Sequence, residues 1–155
     1  MKKVFYSLLV LTGIFVAVSF TSCKKKTTSS ADPISSTATI KGKIQADLDA
    51  TNTTLELAPA GTRIIAVINA ADLIENPQSG VTYGNIEYST TVDASGEYAL
   101  TVAAGTKPVT VTIKCDDFVY SKVITGAAPV RTIYAGPTSG TVVYKNQIKW
   151  VDMTY

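Results

Sequence analysis

Apolar and polar residues alternate strictly in one stretch of the chain, Val109-Thr110-Val111-Thr112-Ile113-Lys114-Cys115. Successive side chains of a β-strand point to opposite faces of the sheet, so this period of two predicts a strand. Its apolar face would pack into a core, and its threonine and lysine side chains would meet solvent. The segment is therefore expected to belong to a sheet with one buried face.

The same alternation recurs along the chain, and turn-forming residues separate the repeats. It is found at residues 40–46, 86–92, 98–102, 142–144 and 148–150, and turns are expected at residues 93–96, 104–108, 135–140 and 145–147, the last closing a hairpin. Residues 63–68 are apolar on both faces and are predicted to form a central strand. A short helical turn is expected at residues 70–75, within a long loop at 69–84. Short strands at this spacing predict an all-β protein, which we expect to be a Greek-key β-sandwich over residues 38–155.

Three short pieces of this domain follow one another in a familiar order. They are Ile40-Lys41-Gly42, Pro59-Ala60-Gly61 and Thr91-Val92-Asp93-Ala94-Ser95-Gly96-Glu97-Tyr98. In this order they resemble the transthyretin-like sandwich of carboxypeptidase regulatory-like domains, over about residues 38–125. The resemblance implies a non-catalytic accessory, structural or binding module. The long loop after Asn69 departs from the short members of that family, and residues 130–155 would add strands that complete a second sheet.

An apolar run follows a short basic start at the beginning of the chain. Lys2 and Lys3 precede the mainly apolar residues 4–20, which is the arrangement of a secretory signal. A permanent anchor is the alternative, although a membrane-spanning helix needs ~20 mainly apolar residues and this run is shorter and interrupted. Residues 27–37 are rich in serine and threonine and are predicted to form a flexible tether.

Directly after the apolar run, Phe20-Thr21-Ser22-Cys23 resembles the lipobox of bacterial lipoproteins. The resemblance implies a signal peptide at residues 1–22, a diacylglycerol on the Cys23 thiol, and a lipidated tether at residues 23–37. Two or more acyl chains hold a protein stably on a membrane. Lys24 stands where some inner-membrane lipoproteins carry aspartate, so the outer membrane is favoured, with its periplasmic face preferred to the cell surface because acidic residues are lacking here. An ordinary secretory signal with a chance cysteine is the alternative.

The composition argues against catalysis and against a metal or cofactor. The chain contains no histidine, so it lacks the commonest general base and the commonest metal ligand. Cys115 lies on an apolar face and is expected to be a buried, inert thiol. Residues 47–52 resemble a calcium loop only faintly, because Asn52 and Ala58 stand where such a loop needs glycine and glutamate. We therefore predict a protein that is not an enzyme and that binds neither a metal nor a cofactor.

Aromatic side chains are the remaining candidates for recognition. Four of them fall at alternating apolar positions and are expected in the core: Tyr88, Tyr98, Tyr144 and Trp150. Tyr83 in the long loop and Tyr120, out of phase with its neighbours, are expected at the surface. Aromatic rings stack on sugars and anchor protein partners. The candidate ligand-binding residues are therefore Tyr83 and Tyr120. Trp150 is a third candidate, on the alternative that its ring is not in the core.

The sequence is compatible with three functions from different classes. The first is an accessory or structural module that contacts another envelope protein, and the second is a glycan-binding module of the cell envelope. The third is a small pilin-like subunit, a class that assembles by donating a strand to its neighbour. Nucleic acid is not an expected partner, since basic and acidic residues balance once Lys2 and Lys3 are removed.

Overall fold

The computed structural model describes residues 36–155; the predicted signal peptide, Cys23 and nearly all of the predicted tether lie outside the described residues. The described part is all-β, as the alternation predicts, with one short 3₁₀ helix at Ala70–Leu73. The strands are β1 (Thr37–Ala46), β2 (Glu56–Leu57), β3 (Arg63–Asn69), β4 (Asn85–Thr91), β5 (Glu97–Ala103), β6 (Val109–Cys115), β7 (Phe118–Ile124), β8 (Ala127–Tyr134), β9 (Thr138–Val143), β10 (Ile148–Trp150) and β11 (Met153–Thr154). In residues 36–155 no helix is long and apolar enough to cross a membrane.

The first sheet is built around β1. Near Lys41, β1 is flanked by antiparallel β5 and by parallel β10. Near Gln45, it is flanked by antiparallel β2 and by parallel β11. The earliest described strand is therefore the centre of the sheet, and the latest two lie beside it.

The second sheet is antiparallel, in the order β4-β3-β6-β9, and packs its apolar face on the first. The predicted buried faces of β1, β5 and β6 are confirmed. The largest fully buried side chains are Ile40, Ile44, Ile64, Ile68, Val92, Val102, Val109, Val111, Ile113 and Val143. β3 lies between β4 and β6, which confirms the prediction of a central strand at residues 63–68.

Three predictions for the region after residue 140 are wrong. The turn at residues 145–147 does not close a hairpin, because β9 pairs with β6 in the second sheet while β10 pairs with β1 in the first. The apolar phase of β9 is also shifted by one residue, since Val143 is fully buried and Tyr144 is 46% exposed. Trp150, expected in the core, is 61% exposed. The three errors have one cause: alternation predicts a strand, but it specifies neither the partner strand nor which face is covered at the edge of a sheet.

The β7–β8 hairpin belongs neither to the five-stranded first sheet nor to the four-stranded second sheet. Its base is held by an aromatic cluster, in which the Phe118 ring stacks on Tyr134 at 4.9 Å between centroids and meets Tyr155 edge-on at 4.6 Å. Lys122 reaches back to the Asp47 carboxylate at 2.7 Å. Residues 130–155 are thus divided among the hairpin and both sheets, and do not complete a single second sheet.

Candidate binding site

A concave surface of about 290 Å³ opens on the outer face of the first sheet, beside the turn that joins β4 to β5. It is lined by Lys41, Thr90, Thr91, Asp93, Glu97, Tyr98, Ala99 and Trp150. That volume is just below the ~300–1,000 Å³ of small-molecule pockets, so the surface has room for one unit of a larger ligand. We call it the Trp150 cleft.

Strand register explains why Trp150 stands at this cleft. Lys41 of β1 pairs with Trp150 of β10 on one side and with Ala99 of β5 on the other. Paired residues point to the same face of a sheet. The indole and the alanine methyl therefore flank the lysine on the outer face, with Lys41 between them.

The β4–β5 turn forms the acidic side of the cleft. The Asp93 carboxylate accepts hydrogen bonds from the Ser95 hydroxyl at 2.6 Å and from the backbone N–H groups of Ser95 and Glu97 at 2.8 and 2.9 Å. These bonds, led by the Ser95 hydroxyl, hold the pKa of Asp93 below its ordinary range. Gly96 has φ of 74°, a left-handed conformation that glycine adopts readily. The turn is thus fixed, and it presents charged Asp93 and Glu97 to the cleft.

Tyr98 also borders the cleft, but its side chain lies on the buried face of β5, opposite to that of Glu97 and Ala99, and is 3% exposed. Its hydroxyl donates to the Val151 carbonyl oxygen at 2.8 Å, directly after Trp150 in the chain. Lys43 N–H donates to the Asp152 carboxylate at 2.7 Å on the other side of Val151. These two bonds hold the short β10–β11 segment against β1, so they position the indole.

Stability is expected to fall at alkaline pH because of the buried phenols. Burial raises the pKa of Tyr98 and of Tyr155 well above the ordinary value of 10. Their neutral forms are therefore favoured in the folded state, and this stabilisation is complete below pH 10 and lost as the pH rises above it. Urea unfolding between pH 8 and 11.5 should show a falling midpoint. The double variant Tyr98→Phe/Tyr155→Phe should show a shallower fall, and an equal slope in both proteins would contradict the assignment.

Of the predicted site residues, only Trp150 lines the cleft. Tyr83 is half-buried in the loop before β4, where its hydroxyl accepts a hydrogen bond from Gln78 N–H at 2.8 Å. Tyr120 lies on β7 and is 41% exposed, as expected, but on a different element. The polar partners Lys41 and Glu97 were missed, because each occupies an ordinary solvent-facing position of its strand and only the register brings them to the indole.

Elsewhere in residues 36–155, one thiol and two carboxylates that could act as nucleophiles or ligands are buried or hydrogen-bonded. Cys115 is 7% exposed, and burial raises the pKa of its thiol to about 11, so it stays protonated at neutral pH. Asp117 accepts a hydrogen bond from Gly136 N–H, and Asp49 from Thr51 N–H. In the described range, no cluster of three or more His, Cys, Asp or Glu side chains is arranged to hold a metal ion.

No family model, no curated protein and no solved structure matches this chain.

Proposed function

We propose that the protein is a non-enzymatic, glycan-binding module of the cell envelope, tethered to the outer membrane through a lipidated Cys23. The observation that carries the binding part is the Trp150 cleft, where an indole that is 61% exposed stands beside charged and hydroxylated side chains. A large exposed aromatic side chain on a short edge strand adds nothing to the core. Its exposure beside polar side chains supports a role in recognition.

A saccharide unit fits the chemistry of this surface. The apolar C–H face of a pyranose ring packs on an indole, and its hydroxyls need donors and acceptors around the rim. Lys41 supplies a donor, Glu97 supplies acceptors, and Thr90 and Thr91 line the same surface. The cleft carries one cationic and two anionic side chains, which favours neutral or amino sugars over strongly acidic ones.

The second part of the proposal is that residues 24–35 attach the domain to the outer membrane. The described domain begins at Ser36, and the Ser36 hydroxyl donates to the Ala104 carbonyl oxygen at 2.6 Å. Residues 24–35 would therefore link the lipidated cysteine to the domain, with a reach of roughly 40 Å when fully extended. Mass spectrometry of the processed amino terminus tests this part, because triacylated Cys23 is expected and a free thiol there would contradict it.

Trp150→Ala is expected to abolish retention on polysaccharide gels, because the stacking surface is removed. The indole is mostly exposed, so the melting temperature should change little. Affinity electrophoresis of the full chain over a broad polysaccharide panel measures the retention, and circular dichroism measures the melting temperature.

Two matched variants control this experiment. Tyr144→Ala removes an exposed aromatic ring directly after β9, and Tyr83→Ala removes the aromatic ring in the long loop. Neither tyrosine lines the cleft. Both should retain binding. Absence of retention on every polysaccharide, or equal loss with Tyr144→Ala, would count against the Trp150 cleft as a glycan site.

A further inference from the structure

The β7–β8 hairpin has two unlike faces. Opposed residues of the hairpin share a face, so Val119 lies with Ile133, and Ser121 lies with Arg131. The opposite face carries Phe118, Tyr134 and Lys122, which attach the hairpin to the body of the domain. On the outer face Val119 is 46% exposed and Ile133 is 72% exposed. An apolar pair thus stands in solvent on an element that contributes little to the core.

The two edges of the hairpin also differ. On the β7 edge, Val123 N–H donates to the Leu48 carbonyl oxygen, and Ala50 N–H donates to the Val123 carbonyl oxygen. Within residues 36–155, β8 pairs with β7 alone, so its other edge presents backbone donors and acceptors to solvent. An open, apolar strand edge is a template for another strand. Pro129 lacks an N–H group, which confines the usable edge to residues 130–133.

The charged side chains of the hairpin are all positive. Residues 118–134 contain Lys122 and Arg131 and no acidic residue. Lys122 is paired with Asp47, whereas Arg131 forms no ion pair with any described residue. The exposed edge therefore carries one unpaired positive charge beside its apolar side chains.

We propose that β8 is the docking edge for an extended segment of a partner protein, which adds to the hairpin as a third strand. The partner segment carries apolar residues at alternate positions, which pack beside Ile133, and an acidic residue opposite Arg131. This mode of recognition draws affinity from backbone hydrogen bonds and specificity from alternate side chains. It is separate from glycan binding at the Trp150 cleft.

Two other occupants suit the hairpin less well. A second copy pairing through β8 brings two Arg131 side chains close together, because Arg131 lies near the middle of the strand, and like charges there are destabilising. A bilayer covers apolar side chains but leaves the open backbone groups of β8 unsatisfied.

A peptide probe tests the docking edge. The probe is the acetylated peptide amide Val-Thr-Glu-Thr-Val-Thr-Val, titrated into the full chain in detergent, with a lysine peptide in place of the glutamate as its control. We expect saturable binding and protection of β8 amides from hydrogen exchange. Ile133→Lys should weaken binding about tenfold or more, since the contact is buried in the complex. Arg131→Glu should weaken the glutamate peptide about fivefold and favour the lysine peptide.

Val142→Lys is the matched control, because it introduces the same charge at another exposed apolar position, on β9, and should bind like the unmodified chain. Absence of saturable binding at millimolar peptide, or unchanged binding by Ile133→Lys, overturns the proposal. Concentration-dependent dimers that Ile133→Lys abolishes would overturn it in favour of a second copy. Ile133-dependent binding to anionic phosphatidylglycerol vesicles without peptide binding would overturn it in favour of a lipid surface. None of these outcomes depends on whether the Trp150 cleft binds glycans.

Discussion

Ile113→Asp is expected to leave the domain without a cooperative thermal transition. Ile113 is fully buried in β6, where it pairs with Ala66 of β3 and with Ser139 of β9. Burying an unpaired polar group costs ~2–7 kcal/mol, and the lost apolar burial adds ~1.5–3 kcal/mol. That total approaches the ~5–15 kcal/mol by which folded domains are usually stable. Circular dichroism and differential scanning calorimetry measure the effect.

Lys114→Asp is the control for this substitution. Lys114 is the next residue of the same strand and is exposed. Its replacement should change the free energy of unfolding by about 0.5 kcal/mol or less. A cooperative transition for Ile113→Asp within a few degrees of the unmodified protein would show that β6 is not the centre of the core.

Gly42→Ala is expected to lower the free energy of unfolding by about 3 kcal/mol. A Cβ atom at Gly42 would lie 1.9 Å from the Val151 carbonyl oxygen and 2.9 Å from a Tyr98 ring carbon. The β10–β11 segment would have to move away from β1, which breaks the Tyr98 hydrogen bond to Val151. Overpacking costs ~1–3 kcal/mol and a lost hydrogen bond ~1 kcal/mol. Urea unfolding measures the loss, which corresponds to a fall of roughly 10 °C in melting temperature.

Gly140→Ala provides the matched control, because it is also a strand glycine but a Cβ there meets nothing within 4 Å. It should be neutral or slightly stabilising, since alanine loses less backbone entropy than glycine in a strand. The two substitutions are chemically identical, so equal effects would refute the close approach of Val151 to Gly42. Gly42→Ala should also weaken ligand binding, because the displaced segment carries Trp150.

The all-β class and the faces of β1, β5 and β6 could be predicted from the sequence, because burial of one face imposes a period of two. The pairing of β10 with β1 could not, since it joins residues about a hundred positions apart and leaves no local signature. Edge strands were predicted worst. At Trp150 an aromatic side chain at an alternating position indicates core on average, and the sheet edge places it in solvent.

The candidate site shows the same division. The Asp93 turn could be predicted, because an acceptor side chain and a glycine at short spacing specify a local conformation. The cleft as a whole could not, since Lys41, Ala99 and Trp150 meet only through the register of three strands. Tyr83 and Tyr120 were correctly kept out of the core, but nothing in their local sequence relates either of them to Trp150.

The parallel pairing of β1 with β10 and β11 has a kinetic consequence. Lys43 N–H donates to the Asp152 carboxylate at a sequence separation of 109 positions, so the first sheet lacks one flank until its latest described strand is made. Contacts of such long sequence separation slow folding, because chain closure comes before any gain from packing. A nascent chain ending before Met153 therefore has an unfinished first sheet.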